Sequence, residues 1–205
     1  MKNAIQILFL ATILVSCRTV SPELMHKTEM GTLYFPTYEE RNGVYHRPND
    51  ALSPFVNNWY SKHLYSLGEP VLSNKTNETI NVIRFTHLGT WSNPYSYRIE
   101  RTKSTVTMTY NKTDGQGGYH QGKRIEHRTK IIDAEQWVSV ISKMDSIDFW
   151  NMETHDKNMI CDGAEWIVEA LINGRYHFIT RNSPDQYDGK EYAELCNLIV
   201  KIYNE

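Results

Sequence analysis

The chain has 205 residues, 12% of them aromatic and 22% charged, with 22 Lys and Arg against 24 Asp and Glu. That length suits one domain with a real core behind a leader segment. The balanced charge lacks the basic excess that phosphate neutralisation needs, so no nucleic-acid partner is expected, and no motif asks for a cofactor.

The first residues are Lys2, an apolar run from Ala4 to Val15, and Leu14-Val15-Ser16 directly before Cys17. This is the layout of a secretory signal peptide, and the apolar run is too short for a convincing spanning helix. The four residues ending at Cys17 resemble a bacterial lipobox. The resemblance implies cleavage before Cys17 and acylation of its thiol and amino group, and several acyl chains hold a protein on a membrane where one would be marginal. Residues 1–16 are therefore expected to be a signal peptide, 17–30 an acylated cysteine and tether, and 31–205 a single domain. Arg18 follows the cysteine, so the aspartate that retains enteric lipoproteins in the inner membrane is absent. The expected address is the bacterial envelope, on the periplasmic side of the outer membrane.

Leu33 to Phe35 predicts a short strand, and the Asn-Gly and Arg-Pro steps that follow predict a loop. Ser53-Pro54 reads as an N-cap and first helical residue. Val56, Tyr60, His63, Leu64 and Leu67 continue at helical spacing until Gly68 and Pro70. From Glu78 the period becomes two. "TINVIRFTHL", "YSYRIERTK", "STVTMTYNK" and "GKRIEHRTKII" read as strands, and the Arg124, Glu126, Arg128, Lys130 series reads as a solvated sheet face. Asp133 with Gln136 forms a capping box for a helix whose buried stripe includes Trp137, Val140, Ile141 and Met144. A long polar loop follows. Two strands turning at Asn173-Gly174 come next, then a helix starting at Asp188 with Tyr192, Leu195, Cys196 and Ile199 on one face. Hairpins without βαβ alternation predict an α+β fold, an antiparallel sheet of about six strands with three helices, mostly on one face.

"SLGEPVL", "ETINVIRF", "DGQGGYHQGK", "DFW", "DGAEWIVEALINGRYHF" and "RNSP" occur in that order. Their order and spacing resemble a family of exported bacterial proteins and lipoproteins common in Bacteroidetes and Proteobacteria, over about Ser53 to Tyr203. The resemblance implies a shared fold and an envelope setting, and it implies no particular reaction.

Three stretches carry candidate chemistry. "DGQGGYHQG" lacks the Gly-Lys-Ser/Thr ending of a phosphate-binding loop and runs into a strand. It reads as a hairpin connection whose glycines supply positive φ, with Tyr119 and His120 available to line a site. The loop with Glu153, His155, Asp156, Cys161 and Asp162 has metal-binding residue types without a metal-binding spacing. Cys161 and Cys196 form either one disulfide or two thiols.

In the final hairpin, a two-residue turn at Asn173-Gly174 sets Ala170 opposite His177, Glu169 opposite Phe178 and Trp166 opposite Arg181. Glu169 and His177 then project to opposite faces, which argues against an acid/base dyad. Trp166 and Arg181 are placed for a guanidinium stacked on an indole. Glu169, among apolar neighbours, must find an arginine or tyrosine donor or take up a proton. Asp162-Gly163 reads as the turn into the strand.

Taken together, these features lead to a membrane-anchored envelope protein that binds a ligand or partner, an envelope protein or glycan, without catalysis. Its candidate binding residues are Trp166, Glu169, His177, Arg181, Asp162 and Tyr119. One competing expectation is an envelope hydrolase using Asp162, Glu169 or His177, with Tyr119 and Arg181 positioning substrate. Another is a structural lipoprotein.

Overall fold

The structure is a computed structural model that describes residues 31–38, 50–75, 80–155 and 162–205. Cys17, Asp156 and Cys161 lie outside the described residues. The elements are α1 (Pro54–Leu67), β1 (Asn81–Gly89), β2 (Tyr95–Arg101), β3 (Val106–Thr113) and β4 (Arg124–Ile132). They continue with α2 (Ala134–Ser146), a 3-10 turn (Phe149–Asn151), β5 (Ala164–Ile172), β6 (Arg175–Asn182) and α3 (Lys190–Asn204). The six strands form one antiparallel sheet in the order β4-β3-β2-β1-β5-β6. This is the α+β arrangement that the alternation predicts. Among the described residues no helix is long and apolar enough to cross a membrane.

Local signals account for most element ends. Ser53 caps α1, its Oγ accepting from the Val56 amide at 3.3 Å, and Gly68 closes the helix with φ 73°. At the start of α2 the Asp133 amide donates to Gln136 Oε1 at 3.1 Å. Asn173 and Gly174 both take positive φ, 51° and 77°, as the tight turn requires. The last helix begins later than Asp188. Gly189 is its N-cap, and a Cβ there would lie 2.5 Å from the Pro184 side chain, so the close approach of "RNSP" fixes where the helix can start.

The sheet is covered on both faces. Trp137, Val140 and Met144 of α2 and Leu195, Cys196 and Ile199 of α3 pack on Ile83, Phe85, Ile99, Val168 and Ile179. Cys196 is a buried free thiol in that layer, and burial pushes its pKa well up. The second layer is built by α1, whose Tyr60 and Leu64 pack on Leu88, Ile167 and Phe178. Tyr34 and Phe35 complete it, and they are not in a strand as expected. Their amides donate to Ser61 Oγ and Asn57 Oδ1 of α1, so the segment follows the helix and has no sheet partner among the described residues. Because α1 takes the face opposite α2 and α3, the centre of the sheet is sealed. This is why a strand such as β1 is buried almost throughout and does not alternate.

The edge strand β4 is more open. Arg128 is well exposed, while Lys130 Nζ donates to the carbonyls of Ile202 and Tyr203 at 3.0 and 2.8 Å, satisfying the end of α3. Ile125 and Ile131 are exposed, and a bulge opposite Lys112 and Thr113 breaks the predicted common face, turning Arg124 toward α1, where its Nη1 donates to the Leu67 carbonyl at 3.3 Å.

Candidate functional site

Antiparallel register sets three rows of side chains across β1, β5 and β6 beneath α1. These are Arg84–Glu169–Phe178, Thr86–Ile167–Thr180 and Leu88–Glu165–Asn182. The first row lies under the middle of the layer and is sealed. The third lies at the sheet end and opens into a cleft.

In the sealed row Glu169 is fully buried. Its Oε2 accepts from Arg84 Nε at 2.8 Å and from Nη2, and its Oε1 accepts from the Tyr176 hydroxyl at 3.0 Å. A second buried carboxylate, Glu69, meets Arg84 Nη1 at 3.4 Å and Arg98 Nε at 3.0 Å. Its Oε1 accepts from Ser96 and Asn111, both at 2.7 Å. Two carboxylates and two guanidinium groups therefore balance inside the domain. Burial pushes the Glu169 carboxyl above its ordinary range, and Arg84 and Tyr176 pull against that shift. Glu169 has found the arginine and tyrosine donors that its apolar neighbours demand, and it has no route to a substrate.

The cleft has a volume of about 470 Å³, within the size class of small-molecule sites. Its floor includes Glu165, whose Oε2 accepts from the Tyr60 hydroxyl at 3.0 Å and whose Oε1 accepts from Asn182 Nδ2 at 2.9 Å. Trp59, Tyr60 and Tyr119 supply aromatic surface, and Asp162 stands exposed at the rim in the left-handed region, φ 63°. Tyr119 also packs against the exposed Trp91, ring centroids 4.9 Å apart. Thr90 Oγ1 and amide both bond the Gly163 carbonyl, at 2.8 and 3.0 Å, tying the end of β1 to the turn before β5.

One wall is the loop from Asp114 to Lys123, which does more than connect β3 to β4. It folds back over the β1–β2 turn, where the Gly117 amide donates to Ser92 O and the Gly118 amide to Thr90 O. From α1, Trp59 Nε1 donates to Gly117 O at 2.7 Å and Lys62 Nζ to Tyr119 O at 2.8 Å. Of its glycines only Gly122 has positive φ; at Gly117 the need is close approach, since a Cβ would lie 2.6 Å from the Leu88 carbonyl carbon. Gly117→Ala is accordingly expected to cost about 1–3 kcal/mol, because backbone cannot move aside as a side chain would. Chemical denaturation measures it. A loss no larger than that of Gln121→Ala would show that the loop is not seated as described.

Of the residues expected to form a site, Tyr119 and Asp162 line the cleft together. Glu169 sits in the sealed row. His177 faces the opposite side of the sheet, paired with Ala170, as the turn register predicts. Its Nδ1 lies 2.6 Å from Asp50 Oδ1 and its Nε2 3.1 Å from Met152 O, so both ring nitrogens are engaged in holding two loops. Trp166 and Arg181 are cross-strand partners, but the expected stack is replaced. The Arg181 guanidinium lies over the Tyr192 ring and donates to the carbonyls of Glu153, Thr154 and Thr180, while Trp166 packs on Phe85 and His87. The reason is that α3 covers this face and brings Tyr192 between the strands, its hydroxyl donating to Trp166 O and Ile179 O, both at 2.9 Å.

Glu165, Tyr60 and Trp59 were not singled out by sequence, although strand alternation places Glu165 on the same face as Glu169. Comparisons with protein-family models, with curated proteins and with solved structures find no match.

Proposed function

We propose that this is a lipid-anchored envelope protein whose domain holds a ligand in the cleft beneath α1 without transforming it. The observation that carries this reading is the cleft itself, a preorganised, water-accessible concavity whose polar floor is fixed by cross-strand and helix–strand hydrogen bonds. The hydrolase alternative uses Asp162, Glu169 or His177 with Tyr119 and Arg181, and asks for at least two of these within hydrogen-bond reach in an open pocket; Asp162 and Tyr119 share the cleft, with no hydrogen bond between them among the described contacts. Glu169 is sealed within an ion pair, and His177 and Arg181 are on the opposite face of the sheet, so no acid/base pair from this set stands in the cleft.

The test is capture after crosslinking in cells, comparing the wild type with Tyr119→Ala, whose ring is half exposed and adds little to the core. A ligand recovered chemically intact with the wild type and lost from the variant, with unchanged thermal unfolding, is the expected result. Equal recovery from both would place binding elsewhere, and recovery of a converted product would overturn the non-catalytic reading.

The anchor is a proposal resting on the sequence around Cys17. Cys17→Ala is expected to move the protein from the membrane to the soluble fraction, because the acyl chains supply the membrane affinity. Fractionation with immunoblotting measures this. A variant that still pellets with membranes would remove the lipid anchor from the account.

A further inference from the structure

Resting on the reading of this chain as lipid-anchored, we infer that the outer face of α1 is where the domain lies on the membrane, with Phe55, Lys62, Tyr65 and Trp91 at the lipid headgroups. Among the described residues five aromatic side chains are well exposed, and four of them, Phe55, Tyr65, Trp91 and Tyr119, are on or beside this helix. Phe55, Lys62 and Tyr65 follow one another at spacings of seven and three residues, so they share the ridge of α1 that turns away from the sheet. Lys62 Nζ reaches the Tyr119 carbonyl at 2.8 Å, and the Tyr119 ring packs on Trp91, which links the ridge to the β1–β2 turn. Trp91 is 62% exposed, yet its backbone is held on both sides, because Thr90 O and Ser92 O accept from the Gly118 and Gly117 amides. One exposed ring would need no explanation, but four grouped around a lysine mark a surface that meets something.

The path of the chain decides what that is. The described residues begin at Gly31 and run along α1, with the Tyr34 and Phe35 amides on Ser61 and Asn57. Fourteen residues separate Cys17 from Gly31, a reach of at most about 50 Å. An acylated Cys17 therefore keeps the bilayer within that distance of the α1 side of the domain. The charges agree. Lys62 is the only lysine, arginine, aspartate or glutamate in α1, whereas α2 and α3 turn Glu135, Asp145, Glu191 and Glu194 outward. A surface of acidic phospholipids repels those carboxylates and attracts the lysine. Lys62 spends one of its three N–H groups on the Tyr119 carbonyl, and the rest of the ammonium can meet lipid phosphate. Tyrosine and tryptophan combine an apolar body with a polar edge, the combination that settles at the headgroup layer. The acids nearest the patch lie at its margins, where Asp114 accepts from the Lys123 amide and Asp162 stands at the cleft rim.

The test is reconstitution of the full-length protein in vesicles of phosphatidylethanolamine and phosphatidylglycerol, followed by flotation. Tryptophan emission is then compared between ordinary lipid and lipid brominated on the upper acyl-chain carbons. Brominated lipid is expected to quench the wild type, and Trp91→Phe to remove at least about half of that quenching. Phe55→Ser combined with Tyr65→Ser should reduce the quenching severalfold while thermal unfolding is unchanged, since both rings already stand in water. Tyr119 is left intact because it also lines the cleft. Protein that floats with the vesicles but shows no quenching lost in Trp91→Phe overturns the docked face and leaves the anchor standing. Equal quenching in the double variant does the same. Failure to float removes the anchor, and the docked face with it. Two other occupants of the patch would also overturn the inference. Emission that N-acetylglucosamine oligomers shift through Trp91, with no response to brominated lipid, means a glycan; self-association in sedimentation that the double variant abolishes means a second copy.

Discussion

Arg84→Met is expected to destabilise the domain by about 3–5 kcal/mol, the cost of leaving a buried charge without its counterion. Arg84 is fully buried and bonds both Glu169 and the Pro70 carbonyl, so its loss strands a carboxylate and a carbonyl together. Glu169→Leu alone should be comparably damaging for the mirror reason. The informative variant is the double one. Arg84→Met with Glu169→Leu leaves Glu69 with Arg98, a balanced pair, and replaces the other pair by apolar volume. Most of the loss should return. A remaining deficit of about 1–2 kcal/mol is expected from the Tyr176 hydroxyl and Pro70 carbonyl, which lose their partners. Denaturant unfolding of all four proteins closes the cycle, and additive single-variant losses would show that the two residues are not coupled in the fold. The raised pKa of Glu169 is part of this account, since it means that ionising the buried carboxyl is costly despite its partners. Recovery in the double variant would mean that the pair contributes little net stability over apolar side chains of similar volume.

A second large effect is expected from acid. Burial lowers the pKa of His63 to about 3, the Lys62 charge adding to it, and lowers that of His87 to about 4. Both lie below the ordinary value near 6.5, so as pH falls the unfolded chain takes up protons before the folded one does. Stability is therefore fully present above about pH 6.5 and drains away toward the folded pKa values. With both histidines protonated only in the unfolded state, the slope is about 2.7 kcal/mol per pH unit, or on the order of 5 kcal/mol by pH 4.5. That is a large part of the stability of an ordinary domain. Glu169 acts in the opposite sense, because a carboxyl with a raised folded pKa binds its proton more readily in the folded state, and it offsets part of the slope. His87→Phe retains an aromatic ring against Tyr95, on which His87 is stacked at 4.7 Å, and removes the titration. Urea unfolding at a series of pH values should show the acid slope cut by roughly half in this variant. An unchanged slope would assign the acid sensitivity to other groups.

How much of this was legible in the sequence follows from the distance over which each feature is decided. The final hairpin was readable residue by residue because Asn173-Gly174 fixes its register locally, and every cross-strand pair follows from that turn. The caps at Ser53 and Gly68 are equally local. The pairing of β1 with β5 is not, since nothing near Arg84 announces that Glu169 will lie opposite it. The cleft is harder still. Its floor comes from the ends of β5 and β6, its aromatic surface from α1 and the loop after β3, and its rim from the turn before β5. Tyr60 reads as part of one apolar helix face, and only the placement of α1 on the second sheet face turns it, with Trp59, toward a site. The glycines of "DGQGGYHQG" were recognisable as special, but their main purpose, letting one backbone lie against another, depends on a neighbour far away in the chain.

The strand order also dictates when the molecule can become itself. The first four strands are a meander and can pair as they emerge, but β1 is flanked on its other side by β5, contributed by the last third of the chain. Until that hairpin arrives, β1 is an open edge, Arg84 lacks Glu169, and the floor of the cleft does not exist. Closure must then bring together segments 85 residues apart at Arg84 and Glu169, a long-range pairing of the kind that slows folding. The β1–β5 pairing, and with it the floor of the cleft, therefore forms only after the four-strand meander is already available to receive it.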